Sequence, residues 1–366
     1  MRRMDAFTYQ AHPARVIFGA GALAQLSAEI DRLGARRTLV LCTPGQVASA
    51  ARVADLLGDR AAGIFAQAAM HVPVETARRA REEARRLGAD CAVAIGGGST
   101  TGLGKAIALD SGLPILAIPT TYAGSEMTPI YGLTENGVKK TGRDARVLPR
   151  TVIYDPELSL TLPLAMTVTS AFNAIAHAAE GLYAQDANPI VALMAEEGIR
   201  ASAAALAPLV ADPRDIDARG DALVGAWLCG IVLGSTTMGL HHKLCHTLGG
   251  SFNLPHAETH TVILPHALAY NASHAPQAMA RVARALQSAA GPGVRIAAVD
   301  AARAINDLAR RHGAPTSLAA LGMPADGLDR AADLAAATPY PNPRPLDRTA
   351  LRALLQRAYD GAPPQG

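Results

Sequence analysis

Residues 239–266, GLHHKLCHTLGGSFNLPHAETHTVILPH, hold six of the chain's eleven histidines: His241, His242, His246, His256, His260 and His266. Imidazole titrates near neutrality, so such rings can relay a proton, donate to a developing oxyanion, hold a carboxylate or bind a metal ion. His242 and His246 stand four apart, which puts both rings on one face if the segment is helical. His256 follows a Gly-Gly pair and a proline and can fold back toward that face. A second piece, FNAIAH at 172–177, sets Asn173 and His177 at the same spacing. Polar rings on apolar stretches point to the lining of a cavity; the competing reading of each ring alone is a hydrogen-bonded core histidine. Cys245 lies among them, either reactive or simply a small buried side chain.

A different chemistry is written at 95–100, IGGGST. Gly96, Gly97 and Gly98 follow a buried apolar run and precede helical pattern at 103–109. Without Cβ atoms the backbone can approach a phosphate, and the N–H groups and dipole of a helix start attract it. A glycine turn alone is a weak signal. Here PTTYAGSE at 119–126 follows the next apolar run and brings Thr120, Thr121 and Ser125 to the same sheet edge, beside Ser99. Two such loops at the carboxyl ends of successive strands point to a dinucleotide.

The elements that must carry these loops alternate. Apolar runs at 14–18, 38–42, 61–65, 91–95 and 114–118 read as strands, and 47–57 and 74–87 as helices, which argues for a parallel sheet covered on both faces. Beyond about residue 163 strand signals nearly vanish and alanine-rich helical pattern continues. The expected division is an α/β domain over 1–162 that binds the dinucleotide and an all-α domain over 163–366 that carries substrate and catalysis.

Composition narrows the function classes. The chain has 366 residues, 49% hydrophobic and 18% charged, with a net charge of +3, which is enough apolar material for two cores and leaves no basic stripe for nucleic acid. The four cysteines, Cys42, Cys91, Cys229 and Cys245, form no CxxC pair, which fits a reducing compartment. The N-terminal arginines have no apolar run behind them, so no signal peptide is expected. The uncharged stretch 222–240 is interrupted by glycines and reads as a buried central helix rather than a membrane span. A cytoplasmic, soluble enzyme is the expectation.

Together, GGGS at 96–99, PTTYAGSE at 119–126, the Asn173/His177 pair, His242-x3-His246 and Pro255-His256 resemble the iron-containing alcohol dehydrogenase family, in order and spacing, over essentially the whole chain. The resemblance implies a dehydroquinate synthase-like architecture: a Rossmann-like N-terminal domain, a helical C-terminal domain, a cleft between them and a homodimer. The wording GGGSTTGLGKAIAL and that of 239–266 resemble the branch that reduces the carbon–carbon double bond of maleylacetate to 3-oxoadipate with NADH or NADPH, in the breakdown of aromatic compounds. The family's metal ligands, an aspartate and three histidines, fall on Asn173, His177, His242 and His256. An amide at the aspartate position removes the only anionic ligand, so the positions are expected to be vestigial and the site free of metal. Gly102 and Ala123 also depart from the family's loops. Cys42-Thr43-Pro44 has no carboxylate where NAD-selective members place one, so NADH and NADPH should both be accepted.

Chemistry assigns the remaining roles. Hydride addition to a conjugated alkene drives charge onto the ketone oxygen, and conjugation polarises the alkene without a Lewis acid. His242 and His246 are the expected donor and proton relay, while Asn173, His177, His241 and His256 shape the substrate pocket. Lys243 is a carboxylate clamp with a catalytic part or else a solvated lysine. By the resemblance, Lys140 approaches the nicotinamide ribose, with a surface hairpin as the competing reading. Lys105 and Arg344 read as structural. The alternative function is a metal-dependent alcohol or glycerol-type dehydrogenase acting on a carbonyl, which Asn173 disfavours; a non-catalytic nucleotide-binding sensor would leave the clustered histidines without a purpose.

Overall fold

The computed structural model describes residues 7–12, 14–135, 138–291, 293–337 and 339–365. The chain divides into two compact units. One is His12–Pro163 with Asp212–Leu223; the other is Leu164–Ala211 with the chain from Val224 onward and residues 7–11.

In the first unit the strands are β1 (Arg15–Phe18), β2 (Thr38–Leu41), β3 (Ala61–Phe65), β4 (Cys91–Gly96), β5 (Ile115–Pro119), β6 (Ile130–Glu135), β7 (Val138–Arg143) and β8 (Thr151–Tyr154). Its helices include α1 (Leu26–Arg32), α2 (Val47–Leu57), α3 (Val74–Arg86) and α4 (Gly98–Ser111). Six strands pair in parallel in the order β1-β8-β5-β4-β2-β3, and β6 and β7 form an antiparallel hairpin. Strand alternation sends side chains to two faces. Val40, Val93, Ile95, Leu116 and Ile118 pack with Leu26, Ile30 and Val53 of α1 and α2. Leu39, Leu41 and Ala92 pack with Ala77, Ala80, Leu103 and Ile107 of α3 and α4. Both faces being covered, the strands must be apolar throughout, which is the pattern that betrays them in the sequence.

Three features depart from the sequence reading. Strand β8, buried throughout and no shorter than β1 or β2, is missing from the sequence reading. The hairpin β6/β7 is a paired unit of its own, and the turn Asn136-Gly137 lies outside the described residues. Helix α4 begins at Gly98, inside the glycine triplet, directly after an extended Gly97. The segment Asp212–Leu223 also packs with the sheet unit. Its fully buried Arg219 donates to the Tyr122 hydroxyl at 3.1 Å and the Pro213 carbonyl at 2.8 Å, so the half expected at 163–366 lends this piece to the other unit.

The second unit contains α5 (Leu164–Gly181), α6 (Pro189–Ala211), the later part of α7 (Ile216–Ser235), α8 (Leu240–Phe252), α9 (His256–Asn271), α10 (Pro276–Leu286), α11 (Ala301–Arg311), α12 (Gly327–Ala336) and α13 (Arg348–Asp360). Helices α8, α9, α12 and α13 share a core that includes Leu244, Leu248, Ile263, Leu328, Leu351 and Leu355. The glycines of α7 are packing devices: a Cβ at Gly225 would stand 2.8 Å from the Ser202 nitrogen of α6. No single described helix is long and apolar enough to cross a membrane, and α7 and α8 bend by 97° at the break between them. The four cysteines are buried and free.

Lys105 ties the two loops of interest together from below. It is fully buried on α4, and its ammonium donates to the carbonyls of Ser125 (2.6 Å), Thr128 (2.8 Å) and Ile130 (2.7 Å) and to the Thr128 hydroxyl (2.9 Å). Burial pulls its pKa down to about 7, yet a ring of oxygens is what an ammonium needs to stay charged. The structural role expected of Lys105 is thus a specific one, anchoring the chain after β5 to the helix after the glycines. Lys105→Met should leave these buried oxygens unpaired and cost about 3 kcal/mol or more. Thermal unfolding measures it, and an unchanged melting temperature would show that the loop does not depend on this amine.

Candidate active site

Three loops meet at the carboxyl ends of β2, β4 and β5. The Thr120 N–H donates to the Gly96 carbonyl at 3.0 Å, and Gln46 Nε2 donates to the Thr120 hydroxyl at 2.9 Å. The Thr43 hydroxyl in turn donates to Gln46 Oε1 at 3.0 Å. Gly96 has φ 149°, and a Cβ there would fall 2.6 Å from Gln46 Oε1. A Cβ at Gly97 would fall 2.9 Å from the Thr121 methyl. Only glycine fits this junction. Gly98 and Ser99 open α4, and no intrahelical carbonyl can reach their N–H groups. The Thr121 hydroxyl is buried without a partner. Backbone donors, a helix start and a waiting hydroxyl make an anion cradle with no fixed charge.

Ser125 is partly buried beside these loops, its carbonyl held by Lys105. Lys140 is turned outward, exposed and ion-paired with Glu135 at 3.1 Å. Its neighbour Lys139, on the opposite face of β7, is the lysine whose pKa burial lowers. Strand alternation separates the two, and a sequence reading without the hairpin register cannot tell which one turns in. Gly102 also gains a reason. A Cβ there would stand 2.7 Å from Val72, which with His71 adopts positive φ (48° and 63°), a conformation seldom taken by a β-branched residue. Val72 fills the space that a side chain at 102 would need.

The histidines assemble in the helical unit. Helix α5 presents Asn173, His177 and Glu180 along one face; α8 supplies His241, His242, Cys245 and His246; α9 supplies His256 and His260. His242 is the hub, its ring 5.2 Å from that of His177, 5.0 Å from His260, 5.2 Å from His241 and 6.1 Å from His246. The Glu180 carboxylate accepts the His242 ring Nδ1–H at 2.5 Å, the His241 backbone N–H at 2.7 Å and that of His242 at 3.2 Å. It therefore caps the start of α8 and sets the His242 tautomer, because a carboxylate only accepts. His241 Nε2 meets His260 Nδ1 at 3.0 Å.

Four buried atoms remain without partners around this point: Asn173 Oδ1, His177 Nδ1, His242 Nε2 and His260 Nε2. Burial, with neighbouring imidazoles adding to it, holds His177, His241 and His260 well below the ordinary imidazole range, so these rings are neutral near pH 7. Burial pushes the Cys245 thiol up, so it stays protonated, and its sulfur lies 3.7 Å from His241 Nε2.

The structure brings the rings of His177, His241, His242 and His260 together, with His256 4.3 Å from His260 and Asn173 one turn before His177 on α5. His246 lies at the exposed side of α8, and Lys243 is half-buried with its ammonium 5.9 Å from the Tyr340 ring centre. His266 is buried elsewhere on α9, where burial and Arg357 lower its pKa to about 4. Arg344 is a pinned loop residue, stacked 4.2 Å over Tyr270 and donating to its carbonyl. Two residues escaped the sequence reading. Glu180 is three residues beyond His177 and His260 four beyond His256, so helical spacing alone would have placed both on the chosen faces.

One ring nitrogen from each of His177, His242 and His260 lies within 4.8 Å of the others. Three imidazoles could hold a divalent ion, though no ligand would carry charge. This donor group differs from the expected one: His256, first residue of α9 and half-buried, packs 4.3 Å from His260, while His260, a turn later, points fully inward.

The chain matches the iron-containing alcohol dehydrogenase model over residues 13–156 and the C-terminal model of the same family over 167–359. It is 68% identical to a maleylacetate reductase of Burkholderia cepacia, over 99% of this chain and 100% of that one, and 57% identical to one of Sphingobium indicum, over 98% and 99%. The crystal structure of maleylacetate reductase from Agrobacterium tumefaciens superposes with a TM-score of 0.92 at 56% identity, covering 99% of this chain and 100% of that one.

Glu180→Gln keeps the shape of the carboxylate but removes its charge and offers a donor toward the His242 ring. Turnover should fall by about 10- to 100-fold with dinucleotide affinity unchanged. Steady-state kinetics beside a dinucleotide titration measures both; full activity would detach Glu180 from the chemistry.

Proposed function

The chain belongs to the iron-containing alcohol dehydrogenase family, and from that premise we propose that it reduces the carbon–carbon double bond of maleylacetate to 3-oxoadipate with NADH or NADPH. Whole-chain similarity to proteins named for that activity supports the reading. The observation that carries it is the buried group of neutral imidazoles around an amide, where a metal-dependent alcohol dehydrogenase would want a carboxylate.

When bound, the reduced nicotinamide supplies the hydride, and Gly96, Gly97, Gly98, Ser99, Thr120 and Thr121 hold its phosphates. The substrate brings two carboxylates, and the enolate adds a third negative charge. A site for that sequence of events must not hold fixed negative charge at its centre. Glu180 complies, because its charge is spent behind the His242 ring on three N–H groups. His242, supported by that carboxylate, gives the proton to the enolate carbon, and His246 at the exposed side relays its replacement. Preorganised ring donors steady the ketone oxygen. Lys243 clamps a substrate carboxylate, and His177, His241, His256 and Asn173 shape the pocket.

A divalent ion, if bound, would be held by His177, His242 and His260 and would act as a Lewis acid on the ketone. This three-imidazole group is what favours a second reading, a metal-dependent dehydrogenase acting on a carbonyl. Conjugation makes the Lewis acid dispensable, and we hold that the working enzyme does without it. With Cys42-Thr43-Pro44 rather than a carboxylate beyond β2, that position does not repel the 2′-phosphate of NADPH. A cytoplasmic homodimer that serves the breakdown of aromatic compounds completes the proposal.

The deciding assay follows nicotinamide absorbance with maleylacetate, each reduced dinucleotide, and a chelator. Turnover should survive chelation, with kcat/KM for the two dinucleotides within about tenfold. Loss of activity on chelation together with stoichiometric bound metal would favour the second reading. Asn173→Asp should raise affinity for Zn²⁺ or Fe²⁺ by about tenfold or more, measured by metal titration. No gain would mean that the shape of the pocket, not the missing charge, keeps the ion out.

A further inference from the structure

We propose that Gln46 is a positioning residue of the dinucleotide site: its amide clasps the loop after β2 to the loop after β5, and affinity for NADH and NADPH depends on that clasp through Thr120. The proposal rests on the dinucleotide part of the reading above and adds a residue to it.

Sheet order sets the constraint. From β2 the chain winds outward to β3 on one side, and from β4 to β5 on the other. The carboxyl ends of β2 and β4 therefore flank the crevice where an open α/β sheet takes its ligand. Strand β4 also lies between β5 and β2, so a side chain joining the loops after those two strands must pass over the end of β4. Gln46, last residue of the short turn Pro44–Gln46, does so. Its Nε2 donates to the Thr120 hydroxyl at 2.9 Å, and the Thr43 hydroxyl donates to its Oε1 at 3.0 Å. Gly96, the last residue of β4, lies in its path, since a Cβ there would fall 2.6 Å from Gln46 Oε1. A hydroxyl both donates and accepts, so the bridge also holds with the amide turned over.

The clasp ties Thr120 at a second point. The Thr120 N–H is held by the Gly96 carbonyl at 3.0 Å, and Gln46 holds the side chain as well. Thr121 has no side-chain tie of its own. Its hydroxyl is buried without a partner, and its methyl stands 2.9 Å from where a Cβ of Gly97 would be, against the turn that opens α4. Thr121 therefore takes its place at the anion cradle from Thr120, and Thr120 takes its own from Gln46.

Two features separate this clasp from ordinary loop packing. Thr43 and Gln46 are half-buried, so water can replace their hydrogen bonds when the clasp is cut, and little stability is at stake. The amide is engaged by a protein hydroxyl at each end, so it holds the cradle and does not read the adenosine ribose, the one place where NADH and NADPH differ.

Fluorescence titration of the full chain with each reduced dinucleotide tests the proposal. Gln46→Met keeps the length but cannot make either bond. It should raise Kd for both dinucleotides by about tenfold, with the two losses agreeing within about threefold and kcat at saturating dinucleotide unchanged. Its melting temperature should stay within about 2 °C of wild type. Gln46→Asn, one methylene short of the span, should behave alike. Thr120→Val should cost at least as much, and Gln46→Met should add nothing to it in the double variant, because the clasp acts through that hydroxyl. Thr120→Ser, which keeps the hydroxyl, should stay within about threefold of wild type. An unchanged Kd in Gln46→Met, losses that multiply in the double variant, or a loss confined to one dinucleotide overturns the proposal. So does a collapse of the melting temperature in both Gln46 variants, which would make the residue one of stability. If the wild-type chain binds neither dinucleotide, the functional reading itself fails; binding without reduction of maleylacetate removes the substrate assignment and leaves the clasp standing.

Discussion

The Glu180 carboxylate is the constraint on which the catalytic unit is built. A buried carboxylate is tolerated only when its oxygens are filled with donors. Glu180 meets that need with the first N–H groups of α8 and the His242 ring, so one side chain of α5 decides where α8 begins and which way its histidine faces. Gly239, just before α8, has to be small for the same reason, since a Cβ there would stand 2.8 Å from the Pro341 carbonyl and 3.4 Å from Glu180. Removing the carboxylate would therefore disturb a helix start and a tautomer together.

Placing the negative charge behind His242 also determines what the cluster can bind. Had a carboxylate stood at position 173, the centre would carry an anion facing the imidazoles, which suits a divalent ion and repels an enolate. With Asn173 there, an amide oxygen joins ring nitrogens of His177, His242 and His260 among the buried atoms without partners. The same three rings that could hold a cation are then better matched to an oxyanion, provided some of them carry their proton inward. For His242 the partner at the far side of the ring is Glu180, which takes the Nδ1–H.

The sequence is most informative where geometry is periodic. Runs such as Thr38–Leu41 and Cys91–Gly96 show in composition because both faces of the sheet are covered. The i,i+4 pairs Asn173/His177 and His242/His246 show because a helix repeats its face. What stays hidden depends on register or on distant contacts. Lys139 and Lys140 are distinguishable only once Thr134 and Leu133 are known to face them across the hairpin. Glu180 looks like an ordinary helix carboxylate until α8 arrives with N–H groups to fill it. Strand β8 gains its significance from its place between β1 and β5.

The two loci follow one electrostatic rule by different means. The glycine junction uses backbone N–H groups and hydroxyls, and its glycines are enforced by close approach: a Cβ at Gly96 or Gly97 would strike Gln46, Thr100 or Thr121. The buried ammonium on α4, Lys105, is consumed by four oxygens and cannot serve a phosphate. The histidine cluster uses rings that burial keeps neutral. Neither locus commits fixed charge at its centre, so the charge arrives with the ligands. The dinucleotide diphosphate and the reacting ketone oxygen would each be held by oriented dipoles, with Lys243 left to clamp a substrate carboxylate. Dipoles of this kind leave the bound charge free to change by one unit as an enolate forms and decays, whereas a buried ion pair matched to one charge state would resist that change.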